Sequence, residues 1–155
     1  MSGQESVNEI ASAVESTAEA LVAVLDAARL GQVPTVPPAQ LRVLTIVAAN
    51  RHTNMSRLAE ALDVVPSSAS RLCDRLEATG LLRRVPDPRD RREVRLLLTA
   101  AARRLLDDLH TRRRDALAAV LERMMPAARE ELVRALRAFQ VATGEDEAAG
   151  GLRTA

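Results

Sequence analysis

Three groups of residues in this 155-residue chain have types and spacing that could do chemistry. The first is Ser67, Ser68, Ser70, Arg71 and Arg75, in a segment where Ala69, Leu72, Cys73 and Leu76 recur at helical spacing. Short hydroxyls near a helix start permit close approach to a partner, and the amides there favour phosphate oxygens. Arg71 is long enough to fork onto a guanine edge, and Arg75 is better placed for phosphate. The second group is a loop, Pro86-Asp87-Pro88-Arg89-Asp90-Arg91-Arg92-Glu93, in a stretch from Arg83 to Arg95 that carries six arginines and three acids. A narrow loop tipped with guanidinium suits the negative potential of a DNA minor groove. Asp90 and Arg92, two apart, could pair so that the arginine is held extended. The third group is scattered: Cys73 is the only cysteine, and His52 and His110 are the only histidines. No metal-ligand spacing joins them, and neither a Gly-rich phosphate loop nor a nucleophile elbow occurs. Enzyme chemistry, a cofactor and a metal site are therefore not expected.

Each feature has a plainer alternative. A serine-rich helix start also serves capping alone, with Arg71 and Arg75 solvated. A charged loop also serves solubility alone. Cys73 falls on the apolar side of its helix, where a thiol fills the core rather than senses oxidants. What favours the functional reading is that a polar helix face and a basic loop occur together.

The elements that position these groups follow from punctuation and period. Val7, Ile10, Val14, Ala18, Leu21, Leu25 and Ala28 form one apolar stripe over about six helical turns, which needs a partner surface. A second subunit is the natural candidate, and Leu132, Leu136 and Phe139 near the other end extend the same expectation. Pro38 opens a helix to about Ala49, with Leu41, Leu44, Val47 and Ala48 on its inner face. Asn54 caps a short helix to Leu62, Asp63–Val65 form a tight turn, and Pro66 opens the Ser/Arg helix, which Gly80 stops. Then the period changes to two: Leu81–Val85 and Val94–Leu98 read as strands of a hairpin around the basic loop. Thr99 caps a long helix to about Met125, Pro126 restarts a last one, and the tail from Gly144 frays. Helix, tight turn, helix and hairpin make a winged helix-turn-helix: mostly α, with a small β wing and helices at both ends for dimerisation. Its parts fall at about 1–35 (dimerisation helix), 36–99 (DNA-binding unit, reader helix about 66–79, wing about 81–98), 100–142 (C-terminal dimerisation helices) and 143–155 (tail).

Composition sets the limits. Apolar residues are 47%, enough for a core, yet Phe139 is the sole aromatic residue, so leucine, valine and alanine must fill it. The net charge of +1 gives no global attraction to a polyanion; local distribution has to provide it. All 22 basic residues are arginine. No signal peptide and no membrane-length apolar run is present, so a cytoplasmic protein without membrane partners is expected.

Three runs carry a family resemblance: Arg57-Leu58-Ala59-Glu60-Ala61-Leu62; Ser70-Arg71-Leu72-Cys73-Asp74-Arg75-Leu76-Glu77-Ala78-Thr79-Gly80-Leu81-Leu82-Arg83-Arg84; and Asp87-Pro88-Arg89-Asp90-Arg91-Arg92 closing at Leu98-Thr99. Over roughly residues 5–142 the chain resembles the multiple-antibiotic-resistance regulator (MarR) family. The resemblance implies a homodimeric repressor on a pseudo-palindromic operator of double-stranded DNA, released in many members by a small-molecule effector. It implies major-groove contacts by Ser67, Ser68, Ser70 and Arg71, and a minor-groove contact by Arg92 buttressed by Asp90. With Arg75, Arg84 and Arg91 these complete the candidate DNA-binding set. Val65 departs from the pattern, standing where a capping Ser or Thr is usual, as does Ala102 at a position commonly glycine. A protein-interaction module that keeps the fold without operator binding is the rival class.

Overall fold

The computed structural model describes residues 2–30, 35–50, 52–90 and 93–144; Arg91, Arg92 and the tail from 145 lie outside the described residues. The elements are α1 (Ser2–Ala27), α2 (Pro38–Ala49), α3 (Met55–Leu62), α4 (Pro66–Ala78), β1 (Leu82–Pro86), β2 (Val94–Leu98), α5 (Ala100–Leu121) and α6 (Pro126–Ala142). The chain divides into two compact units, Met1–Arg114 and Asp115–Ala155.

Prolines set three helix starts. Pro38, Pro66 and Pro126 occupy first helical turns, where a missing N–H removes no intrahelical bond. A residue before proline is pushed out of the helical region. Val65 and Met125 are accordingly extended, at ψ 148° and 143°. This also explains why α5 ends at Leu121 rather than near Met125. The last residues tighten into turns, with Arg123 N–H on the Val120 carbonyl at 3.1 Å, and Met125 cannot continue the helix.

In the first unit one aliphatic core joins α2, α3, α4, the hairpin and the start of α5. Val43, Leu44, Leu58, Ala69, Cys73, Leu76 and Ala102 are wholly buried within it. α2 differs from the expected single face, since Val43 is buried and Ala48 exposed. The helix packs against α3, α4 and β2 together, so more than one side of it is covered.

Two left-handed residues set the chain path around α4. At the end of α3, Asp63 has φ 54° and ψ 50°. Its N–H donates to Glu60 O at 3.0 Å and that of Val64 to Ala59 O at 3.1 Å, the paired closure that ends a helix sharply. At the end of α4, Gly80 has φ +72°. There Gly80 N–H donates to Glu77 O at 3.0 Å and Leu81 N–H to Leu76 O at 2.9 Å, the same closure with glycine in the strained place.

β1 and β2 pair antiparallel, with Leu82 opposite Leu98 and Arg84 opposite Leu96. Thr99 ties the hairpin to the next helix: its Oγ1 donates to Gly80 O at 2.7 Å and accepts from Ala102 N–H at 3.2 Å. One contact carried no local sequence signal. The Thr53–Asn54 segment lies along β2 through an Asn54–Arg95 bridge and a bond from Leu96 N–H to Thr53 O at 2.9 Å.

α1 exposes its stripe up to Leu21, with Leu25 half-buried and Ala28 buried, and in the second unit α6 exposes its own. Val7 and Ile10 are 57% and 60% accessible, and Leu136 and Phe139 are 48% and 61%. α6 has no buried residue at all among those described.

Candidate nucleic-acid interface

α4 has two sides of opposite character. Ala69, Cys73 and Leu76 face the core, while Ser67, Arg71 and Arg75, at steps of four, form an exposed stripe. Ser68 and Ser70 are half-buried at its edge. Val65 provides no side-chain cap, so the helix start is closed only by backbone: Ser68 and Ala69 N–H reach Val65 O at 3.0 and 3.3 Å. By contrast Asn54 caps α3, its Oδ1 accepting from Arg57 N–H at 2.9 Å.

Arg84 differs from Arg71 and Arg75, which are exposed. Strand alternation places it on the same side of the hairpin as Leu82 and Leu96, facing α4. Its Nη1 lies 2.7 Å from both Asp74 Oδ1 and Glu77 Oε2, and its Nη2 donates to Ser70 O at 3.3 Å. Its backbone N–H donates to Glu77 Oε1 at 3.1 Å. Partial burial pulls its pKa down, but hydrogen bonds and attraction from Asp74 and Glu77 outweigh this and shift it upward. The guanidinium of Arg84, one of the candidate DNA-binding residues, is thus engaged inside the protein.

Cys73 lies on the inner face of α4. Burial pushes its thiol from 9.0 up to about 11; the Arg84 charge opposes the shift, and Asp74 and Glu77 add to it. The wing acids also serve structure. Asp87 Oδ1 accepts from Arg89 N–H at 2.8 Å, and its Oδ2 lies 3.8 Å from Arg95 Nε. Asp87 N–H donates to Glu93 O, and Glu93 N–H to Asp90 O, both at 2.9 Å. Glu93 Oε2 accepts from Asn54 Nδ2 at 3.1 Å, which joins the wing to the α3 start. The expected Asp90–Arg92 pair and the Arg91 side chain involve residues outside those described. An open cleft of about 280 Å³ lies between the wing and the α3 start, bordered by His52, Arg57, Asp87, Arg89 and Glu93. His52 and His110 are both exposed. Among the described residues no group of three His, Cys, Asp or Glu side chains could hold a metal ion, and no helix is long and apolar enough to cross a membrane.

Two short helices joined by a left-handed turn, the second polar on its open side and braced by a hairpin, define a winged helix-turn-helix, the architecture of DNA-binding transcriptional regulators. The chain belongs to the MarR family. The model of that family matches residues 35–93, the helix-turn-helix and most of the wing. The HTH-type transcriptional repressor MdtR of Bacillus subtilis (strain 168) is 39% identical over 64 residues, 41% of this chain and 41% of that repressor, so the match spans about two-fifths of the curated relative. RV1404 from Mycobacterium tuberculosis is similar over nearly its whole length: 35% identity, 89% of this chain, 94% of that one, TM-score 0.79. A variant of S. aureus MepR, solved bound to an oligodeoxyribonucleotide, shares the fold at 17% identity over 86% of this chain and 97% of that one, TM-score 0.65.

Proposed function

We propose that this regulator is a cytoplasmic repressor that binds a pseudo-palindromic operator as a homodimer. The observation that carries the reading is α4: one face is sealed in the core, and the other presents Ser67, Arg71 and Arg75 to solvent. Its groove contacts are Ser67, Ser68, Ser70 and Arg71 on major-groove base edges, with Arg75 on phosphate. Arg91 and Arg92, with Asp90 beside them, belong to the minor groove. Residues 36–99 form the DNA-binding unit, and 1–35 and 100–142 the dimer region. The exposed stripes of α1 and α6 support that division, because apolar faces of this length are rarely left to water. The MepR complex with an oligodeoxyribonucleotide, a protein of the same fold, supports a nucleic-acid partner. We extend the proposal to release by a small-molecule effector. Since Phe139 is the sole aromatic residue, such a ligand is held by aliphatic and charged side chains rather than by ring stacking.

The test is fluorescence anisotropy on duplexes tiled across the DNA that flanks its own gene, with sedimentation on the free protein. A dimer is expected, with log affinity falling steeply against log salt. Arg71→Ala should cost about 1–3 kcal/mol and relax preference at one base pair. A flat salt response favours a protein-interaction module instead, and a stable monomer at micromolar concentration refutes the two-fold reading.

A further inference from the structure

Ser70, Asp74 and Glu77 recur at steps of four and three along α4. They therefore form the stripe beside the one that carries Ser67, Arg71 and Arg75. Two acids in that place work against a helix that must enter a groove walled by phosphates. Their repulsion extends over about a Debye length, ~10 Å at 0.1 M salt.

Both acids converge on one cation. Asp74 and Glu77 are 59% and 40% exposed, whereas Arg84 between them is 24% exposed and contacts each at 2.7 Å. Its second nitrogen turns to the Ser70 carbonyl at 3.3 Å rather than outward. To reach a phosphate, Arg84 would have to leave two charge-assisted hydrogen bonds, the strong kind. β1 also starts it from the inner side of the hairpin, opposite Leu96.

We propose that Arg84 is a positioning residue and not a DNA contact: it is the internal counter-ion that shields the acids of the reader helix from the phosphates. With Arg84 in place the Arg84, Asp74 and Glu77 side chains together carry one negative charge, and without it two, centred beside Ser70. Losing Arg84 therefore weakens DNA binding through Asp74 and Glu77, and removing those charges reverses the loss. The inference rests on the DNA-binding reading above.

The experiment compares the full chain, Arg84→Met, and Arg84→Met combined with Asp74→Asn and Glu77→Gln. The probe is a mixed-sequence duplex about three helical turns long, titrated over a range of salt concentrations, with thermal unfolding of each protein alongside. Arg84→Met should bind about tenfold more weakly at low salt, and the triple variant should return to within about threefold of the unaltered protein with the same salt slope. A triple variant that stays weak, with a slope shallower by about 0.9 per protomer, makes Arg84 a phosphate contact and overturns the proposal. A triple variant that stays weak with an unchanged slope and a lowered melting point makes it a mechanical clamp, which overturns it equally. If the unaltered chain binds no duplex, the DNA-binding reading fails first and the inference falls with it.

Discussion

Because the chain has neither lysine nor tyrosine, a titration between pH 8.5 and 11 isolates a single side chain, the thiol of Cys73. The α-amino group ionises below this range and arginine above it. In the native protein the thiol is wholly buried and stays protonated up to about 11, whereas its ordinary value is 9.0. Below pH 9 both folded and unfolded chains hold the proton, and stability does not depend on it. Above pH 9 the unfolded chain releases the proton first, binds fewer protons than the native state, and is stabilised relative to it. At about 1.4 kcal/mol per pH unit, the native state should lose about 1 kcal/mol by pH 10, about 2 by pH 11 and about 3 in the limit. Urea unfolding followed by circular dichroism, at intervals of half a pH unit and under reducing conditions, measures the loss. Ultraviolet absorbance of the thiolate reports its cause. Cys73→Ala lowers stability by a roughly constant amount, about 1 kcal/mol from the lost buried sulfur, but should flatten the profile over this range. If that variant lost as much stability between pH 9 and 11 as the parent, the fall would belong to another process and the burial argument would be refuted. At neutral pH the same shift leaves about a hundredfold less thiolate than an unperturbed cysteine, so alkylation should be correspondingly slow.

Two further predictions concern the segments that aim α4. Asp63 holds a left-handed conformation that disfavours any side chain, so Asp63→Gly should change stability by no more than about 0.5–1 kcal/mol, in the stabilising direction, while Asp63→Val should lose more than about 1. Urea midpoints read both, and a strongly destabilised glycine variant would show that the Asp63 side chain itself holds the turn. Asn54→Ala removes the α3 cap and the link to Glu93 and should cost about 1–2 kcal/mol, whereas Val65→Ser, at an uncapped helix start, should gain about 0.5–1. Equal effects of the two substitutions on thermal unfolding would contradict the difference in capping.

The elements were legible in the sequence wherever a residue constrains its own backbone. Pro38, Pro66 and Pro126 mark helix starts, Gly80 marks a stop, and Thr99 caps, because each acts within a turn of itself. Features set by distant chain were hidden. The Thr53–Asn54 contact with β2 depends on tertiary approach, and nothing in Arg-His-Thr-Asn announces it. Val43 looks like a residue on the flank of α2 until α3, α4 and β2 enclose it. Arg84 is a different case, since the signal was present. Counting by two from Leu82, a core residue, reaches Arg84 and puts it on the buried side of the wing, while Arg83 faces out. Strand alternation thus separates neighbouring arginines that a count of the stretch lumps together. Of the candidate contacts, the α4 set is exposed or at the edge as expected, and Arg91 and Arg92 lie outside the described residues.

This division bears on how a protein of net charge +1 could hold a polyanion. Coulomb attraction follows where charges point and what neutralises them, not their sum. Asp74 and Glu77 sit against Arg84, Asp87 turns into its own loop, and Glu93 reaches Asn54. Each of these acids is committed to a contact within the helix-turn-helix and its wing, while Arg71 and Arg75 remain exposed on α4. Placing acids inside the unit rather than omitting them has a consequence for specificity. A surface with every acid removed would attract any duplex strongly, and affinity gained that way carries no sequence information. On the function proposed above, acids held by internal partners keep the general attraction modest and leave discrimination to the few side chains assigned to base edges. The salt slope of the triple variant measures that balance directly, since with Asp74 and Glu77 neutralised a missing phosphate partner still leaves the slope shallower, whereas a missing internal counter-ion leaves it as in the unaltered protein.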